Sequence, residues 1–298
     1  MAVEARGVVA AGPDPLGRLA CRALREEALL TPKPGLVDRR GGGAHRDMTL
    51  PMLLASAEAL AGPVTACAAA AVALPLGPDL RAELGVIGRD GERRMLDTTG
   101  GVNTHRGALW ALGLLAAGLA ATGTIAGAST FAATLAAIDD PAASRPPPDG
   151  APGAAAGGRP PSHGDEARRR FGAAGAVGEA RRGFPHAVRV ALPALWAARS
   201  AGLDEATARR DALLASMSRL EDTCLLHRGG PAGLRAVRDG AAAVLSAGGT
   251  GTGAGATALD RLDRHCRLAG LSPGGSGDVL AAALFMDAAR HHRAEGRR

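Results

Sequence analysis

Residues able to do chemistry gather in four glycine-bearing stretches of this 298-residue chain. "TPKPGLVDRRGGGAHRDM" (31–48) carries Lys33, Asp38, His45 and Asp47, and "DTTGGVNTHRGALW" (97–110) carries Asp97, Asn103, His105 and Arg106. "RLEDTCLLHRGG" (219–230) holds Glu221, Asp222, His227 and Arg228, and "LSPGGSGDVLAAALF" (271–285) holds Gly274, Gly275, Ser276 and Asp278. Carboxylates beside cations and bare backbone N–H groups suit polyphosphate chemistry. Asp38, Asp47, Asp97 and Asp222 are candidates to hold Mg²⁺, which takes one or two carboxylates and leaves the rest of its shell to water and phosphate oxygens. Lys33, Arg106 and Arg228 can balance the remaining phosphate charge. In "SPGGSGD" the glycines let a ligand approach the start of a helix, where the unpaired N–H groups favour a phosphate. Each stretch also has an ordinary reading as a helix cap or helix end. No G-x-x-x-x-G-K-[ST] loop occurs, no G-x-G-x-x-G follows a strand, and the His45-x-Asp47 pair lacks the partner motif of a zinc site.

Composition sharpens the choice of residues. Lys33 is the only lysine and Asn103 the only asparagine, against 43 glycines, 19 prolines and no glutamine. In a chain so drawn toward Ala, Gly, Pro and Arg, a surviving lysine marks a place where a compact ammonium differs from a planar guanidinium.

The elements that must hold these loops are helical. Aromatics make up 2% of the chain and β-branched runs are scarce, while Ala, Leu, Arg and Glu fill the periodic segments. The spacing predicts helices over 16–30, from Thr49 with Pro51 in the first turn, and over 63–74, 78–88, 103–122 and 125–138. Further helices are expected over 165–182, 186–200, 204–219, 231–246, 256–269 and 277–294. The reading is all-α: a flexible start over 1–15, then one multihelical domain over 16–294 with a disordered Pro/Gly/Ala insertion over 141–162.

A formal charge of +6 raises the question of nucleic acid, but the basic residues are spread out and no aromatics are interleaved with them. An anionic small substrate accounts for the same charge. Cys21, Cys67, Cys224 and Cys266 form no C-x-x-C pair and read as reduced thiols in a cytoplasm. The N-terminus does not read as a signal peptide, and the uncharged run from Gly107 to Ala137, broken by Thr-Gly-Thr, reads as a buried helix pair rather than a membrane span.

Together the stretches resemble the triphosphoribosyl-dephospho-CoA synthase family. The family's pattern appears in order as "TPKPGLVDRRGGGAHRDM", "GVNTHRG" (101–107), "GEARRGFP" (178–185), "DTCLLHRGG" (222–230) and "SPGGSGD" (272–278). Arg106 stands where the family usually has lysine, Cys224 where many members have asparagine, and Val177 where arginine is common. The resemblance implies an all-α fold and a transfer in which the 2′-hydroxyl of dephospho-CoA attacks the anomeric carbon of ATP and adenine leaves. The product would be the prosthetic-group precursor for the acyl carrier protein of malonate decarboxylase or citrate lyase, loaded by a separate transferase.

That chemistry assigns expected roles. Glycosyl transfer passes through an oxocarbenium-like state, which one carboxylate can stabilise while another accepts the hydroxyl proton; Asp97, Glu179 and Asp222 are the catalytic candidates. Lys33, His105, Arg106, Arg228 and the "SPGGSGD" residues Gly274, Gly275, Ser276 and Asp278 are expected to bind substrate, with Asn103 orienting a ribose hydroxyl. Asp38, His45 and Asp47 are the metal candidates. Two rivals share these residues: a Mg²⁺-dependent helical hydrolase of ADP-ribosyl or nucleotide bonds, and a basic binding protein without turnover.

Overall fold

The small residues that dominate this chain let helix axes approach closely, and the fold is built on that closeness. A computed structural model describes residues 13–144 and 163–295. The first helices are α1 (Pro13–Leu29), α2 (Leu50–Ala73), α3 (Pro78–Thr98), α4 (Arg106–Thr122) and α5 (Ile125–Ala137). After residue 162 come α6 (His163–Phe171), α7 (Gly175–Arg181), a π turn (Ala187–Ala191) running into α8 (Leu192–Ser200), α9 (Glu205–Met217), α10 (Thr223–Ser246), α11 (Gly253–Leu268) and α12 (Gly274–Glu295). The only pairing of strand type among the described residues is an isolated bridge between Asp38 and Gly41. The all-α reading holds.

Two helices form the centre. On α4 every residue from Ala108 to Leu119 except Trp110 is buried, so the helix is wrapped by α2, α3, α5 and α12. The α12 run from Val279 to Met286 is buried in the same way, against α1, α4 and α9. The uncharged run from Gly107 to Ala137 is thus a pair of packed helices, α4 buried along most of its length and α5 on one face only, broken where Gly123 takes a left-handed φ of 75° and Thr124 caps α5 by accepting the Gly127 N–H. Among the described residues α2 is long and apolar enough to cross a membrane; here it packs between α1, α3 and α4.

Several boundaries differ from the periodicity. The break expected before Pro63 is absent, because Pro63 is buried inside a continuous α2 whose neighbours hold it. The helix expected over 78–88 continues to Thr98, supported by the Asp90–Arg94 pair one turn apart. The helix expected over 165–182 is split by left-handed Gly172 and Gly175. Residues 223–230, expected as loop, are helical, and α10 bends at Gly230–Pro231. The flexible start and the insertion lie largely outside the described residues, although α1 already includes Pro13–Pro15 and Pro141–Ser144 forms a 3₁₀ turn.

Candidate active site

The sole lysine is interior. Its side chain is 1% exposed, and Nζ donates to both the Glu27 carbonyl and Glu27 Oε1 at 2.7 Å. Glu27 sits in the last turn of α1, and "TPKPG" turns the chain back over it. Asp38 completes this turn by accepting the Lys33 backbone N–H at 2.9 Å and the Arg40 guanidinium. Burial alone would raise the Asp38 pKa, but hydrogen bonds from Arg40 and Lys33 hold it below the ordinary value. Asp38 therefore locks the loop instead of offering oxygens to a metal, and Lys33 is committed to Glu27 instead of gripping a triphosphate.

The phosphate expected at the start of α12 meets a similar correction. Asp222 caps α10 by accepting the Cys224 N–H at 2.9 Å, and its carboxylate also takes the Gly275 N–H (3.3 Å), the Ser276 N–H (2.9 Å) and the Ser276 hydroxyl (3.0 Å). A Cβ on Gly275 would stand 3.1 Å from the carboxylate carbon. The glycine thus admits a carboxylate of the same chain to the helix end where an anion was expected. Burial nevertheless raises the Asp222 pKa despite these four donors.

Opposite, at the start of α4, stand His105 and Asp278. A Cβ on Gly107 would come within 2.1 Å of Asp278 Oδ2, so only glycine lets α12 bring that carboxylate against the Ala108 N–H. Burial, then the charges of Glu27 and Asp222, raise Asp278 well above the usual carboxylate range. His105 is 4% exposed; burial and the Lys33 charge lower its pKa from 6.5 to about 3, so it is a neutral imidazole. Its Nδ1 meets Ser56 Oγ at 2.8 Å, while Nε2 has no hydrogen-bond partner among the described residues.

This depressed pKa has a consequence for stability. Above pH 6.5 both states hold His105 neutral; below it the unfolded chain gains a proton that the folded chain refuses, costing up to about 1.4 kcal/mol per pH unit. Urea unfolding at pH 7 and pH 5 is expected to show the parent losing about 2 kcal/mol more than His105→Gln over that interval. Equal losses would contradict a neutral buried imidazole.

The remaining candidates divide. Glu179, buried on α7, accepts the His186 backbone N–H at 2.7 Å and meets His186 Nδ1 at 2.9 Å. Phe184, with a left-handed φ of 56°, turns the "GFPH" segment back onto it. Asp97 is exposed on the last turn of α3 and does not border the cleft described below. Both ring nitrogens of His45 are engaged, Nε2 with Ser272 Oγ at 2.8 Å and Nδ1 with Arg228 Nη2 at 3.1 Å. Since arginine only donates, His45 Nδ1 accepts and Nε2–H donates, which leaves no lone pair for a metal. Asn103 takes the Arg106 N–H at 3.2 Å, turning the chain into α4, and Arg106 pairs with Glu92. Asp47 is exposed at the rim.

All of these loops border one cleft of about 870 Å³, within the size range of nucleotide-sized sites. One end holds Glu27, Lys33, His105, Asp222 and Asp278; from there the cleft follows the seam of α3 and α4 past Glu92 and Arg106 to Arg81, Arg89 and Trp110. Arg81 lies 5.4 Å over the Trp110 ring, and Arg81 and Arg89 share Asp140. The cleft therefore has an acidic end and an arginine-lined seam. Among the described lining residues there are eight carboxylates and six lysine or arginine cations, so a bound polyanion would need additional positive charge. No group of three or more His, Cys, Asp or Glu side chains among the described residues is placed to hold a metal ion by itself.

Residues 13–297 match the family model described as ATP:dephospho-CoA triphosphoribosyl transferase. The chain belongs to this family. It is 50% identical over 280 residues, 93% of this chain and 95% of the relative, to a Pseudomonas putida protein named "Probable 2-(5''-triphosphoribosyl)-3'-dephosphocoenzyme-A synthase". Proteins of the same name from Pseudomonas aeruginosa (51% over 276 residues, 91% and 89% of the two chains) and Azotobacter vinelandii (50% over 273 residues, 90% and 89%) are similar to it. No solved structure matches the chain.

Within this family member, sequence reasoning missed Glu27, Ser56, Glu92 and Trp110, which sit inside regular helices. One signal was available: an acid six residues before the only lysine, across the turn at Pro32, is placed to meet it.

Proposed function

We propose that this pentosyltransferase moves the 5-triphosphoribosyl group of ATP to the 2′-hydroxyl of 3′-dephospho-CoA with release of adenine. The observation that carries the reading is the charge order along the cleft: carboxylates where a ribosyl cation would develop, arginines where polyphosphates would lie. As the hydroxyl oxygen bonds to the anomeric carbon, the bond from that carbon to the base breaks and its electron pair leaves with adenine. Asp278 is the assigned proton acceptor. No lysine or arginine pairs with it among the described residues, and its raised proton affinity suits a base taking a hydroxyl proton. Glu27 and Asp222 supply the negative field around the developing cation, while Arg81, Arg89 and Arg106 hold phosphates.

Of the expected metal residues, Asp47 retains a carboxylate facing the cleft. One carboxylate plus triphosphate oxygens and water is an ordinary Mg²⁺ shell, and the carboxylate excess of the lining suits a cation that arrives with ATP. Bound there, Mg²⁺ would neutralise triphosphate charge. The product is assigned to the acyl carrier protein of malonate decarboxylase, with citrate lyase as the alternative, on the resemblance of the "DTC" wording at 222–224; the setting is cytoplasmic.

Chromatography of free adenine, with mass spectrometry of the CoA product, tests the reading. Adenine is expected only when ATP, Mg²⁺ and dephospho-CoA are all present, together with a triphosphoribosyl adduct. Adenine formed without the acceptor would instead identify a hydrolase.

A further inference from the structure

One buried polar atom of the cleft is left over by the roles given so far: Nε2 of His105. The side chain is 4% exposed and borders the cleft, and this nitrogen has no hydrogen-bond partner among the described residues. A buried polar atom left unpaired forfeits its solvation without recompense, so its position calls for a ligand atom.

Which kind of atom follows from the other side of the ring. Thr104 Oγ1 donates to Ser56 Oγ at 2.7 Å, and Ser56 Oγ lies 2.8 Å from His105 Nδ1. Ser56 is fully buried. With the Thr104 proton already received, its own hydrogen has Nδ1 as acceptor. Nδ1 then carries no proton, and the single hydrogen of the neutral ring sits on Nε2. Met95 Sδ, accepting the His105 backbone N–H at 3.3 Å, fixes the residue from behind. The cleft is therefore offered a neutral donor, pre-oriented by two hydroxyls.

The acceptor has to be one that tolerates the surroundings. Glu27, Asp222 and Asp278 border the same end, and the one ammonium there, Lys33, is already bound to Glu27. A phosphate oxygen at this end would be repelled by the carboxylates, whereas a ring nitrogen of a base is an uncharged acceptor.

We propose that His105 Nε2–H donates to a ring nitrogen of the departing adenine, with Ser56 and Thr104 as positioning residues that fix its tautomer. This rests on the transferase reading above. When the bond to the anomeric carbon breaks, the electron pair flows into the purine and the ring nitrogen becomes a stronger acceptor. The hydrogen bond is thus stronger in the transition state than in the ground state, which is the condition for catalysis. His105 keeps its proton throughout; the proton lost by the acceptor hydroxyl and the one gained by adenine balance through Asp278 and solvent.

The test pairs altered enzymes with ATP in which one ring nitrogen, N7 or N3, is replaced by CH. For the parent enzyme, one of the two analogues is expected to lower kcat/KM roughly 10–100-fold, the effect of leaving a buried donor unpaired. In His105→Ala that analogue penalty is expected to shrink toward one, because the donor is gone. His105→Gln, which keeps an N–H near the same place, is expected to restore part of it. Ser56→Ala, which removes only the relay, provides the same reading at a second position, with kcat falling more than KM rises. A penalty that persists undiminished in His105→Ala and Ser56→Ala, or a parent that uses both analogues as well as ATP, would overturn the assignment. A parent that releases no adenine from ATP in the presence of dephospho-CoA would instead overturn the transferase reading itself.

Discussion

Asp278→Asn is expected to slow adenine release by about 10²–10⁴-fold, the usual worth of a positioned general base, without weakening the fold. The two halves of this expectation come from one environment. Asp278 is brought against the start of α4 through the space left by Gly107, beside Glu27 and Asp222. An ionised carboxylate there is disfavoured by burial and by two like charges, which makes it an avid proton acceptor and a burden on the folded state. Asparagine keeps the shape and removes the charge, so the midpoint of thermal unfolding should stay level or rise while turnover collapses. A variant that lost stability and activity in proportion would mean that Asp278 is structural.

Lys33→Met has the largest expected effect on stability, a loss of about 3–5 kcal/mol, because it leaves the Glu27 carboxylate charged, buried and unpaired. Denaturant unfolding of the single variant beside the pair Glu27→Gln with Lys33→Met separates causes. The double variant is expected to recover most of the loss, since a neutral pair carries no uncompensated charge. Lys33→Arg is not expected to rescue the fold: a planar guanidinium with five donors does not fit a site that is 1% exposed and furnishes the ammonium with two oxygens of Glu27. An unchanged unfolding midpoint for Lys33→Met, with activity lost, would return Lys33 to the triphosphate-gripping role that its loop first suggested.

Lys33, His105, Asp222, Glu179 and Asp278 all border the cleft; four of them were legible because glycine-rich loops with mixed charges stand out in an alanine-rich chain, and Glu179 only through the family resemblance of "GEARRGFP". Their roles were less legible. Asp97 seemed to belong to the "GVNTHRG" loop because the helix before it was expected to end near residue 88; α3 instead runs to Thr98 and carries Asp97 to the exposed surface. Asp38 and His45 have ligand-type side chains, but Arg40 and Arg228 together with Ser272 consume their lone pairs and donors.

By itself the sequence determined the helical architecture, the packed α4–α5 pair and the family. These follow from local quantities: residue propensity, the period of apolar positions, and motif order. Only the tertiary structure decided which polar groups answer one another. The start of α12 faces Asp222, 53 residues away from Gly275 in the chain, and Asp278 reaches α4 through the gap at Gly107. Whether a helix end receives a phosphate or a carboxylate of its own chain depends on packing between distant segments, and local sequence carries no record of that distance.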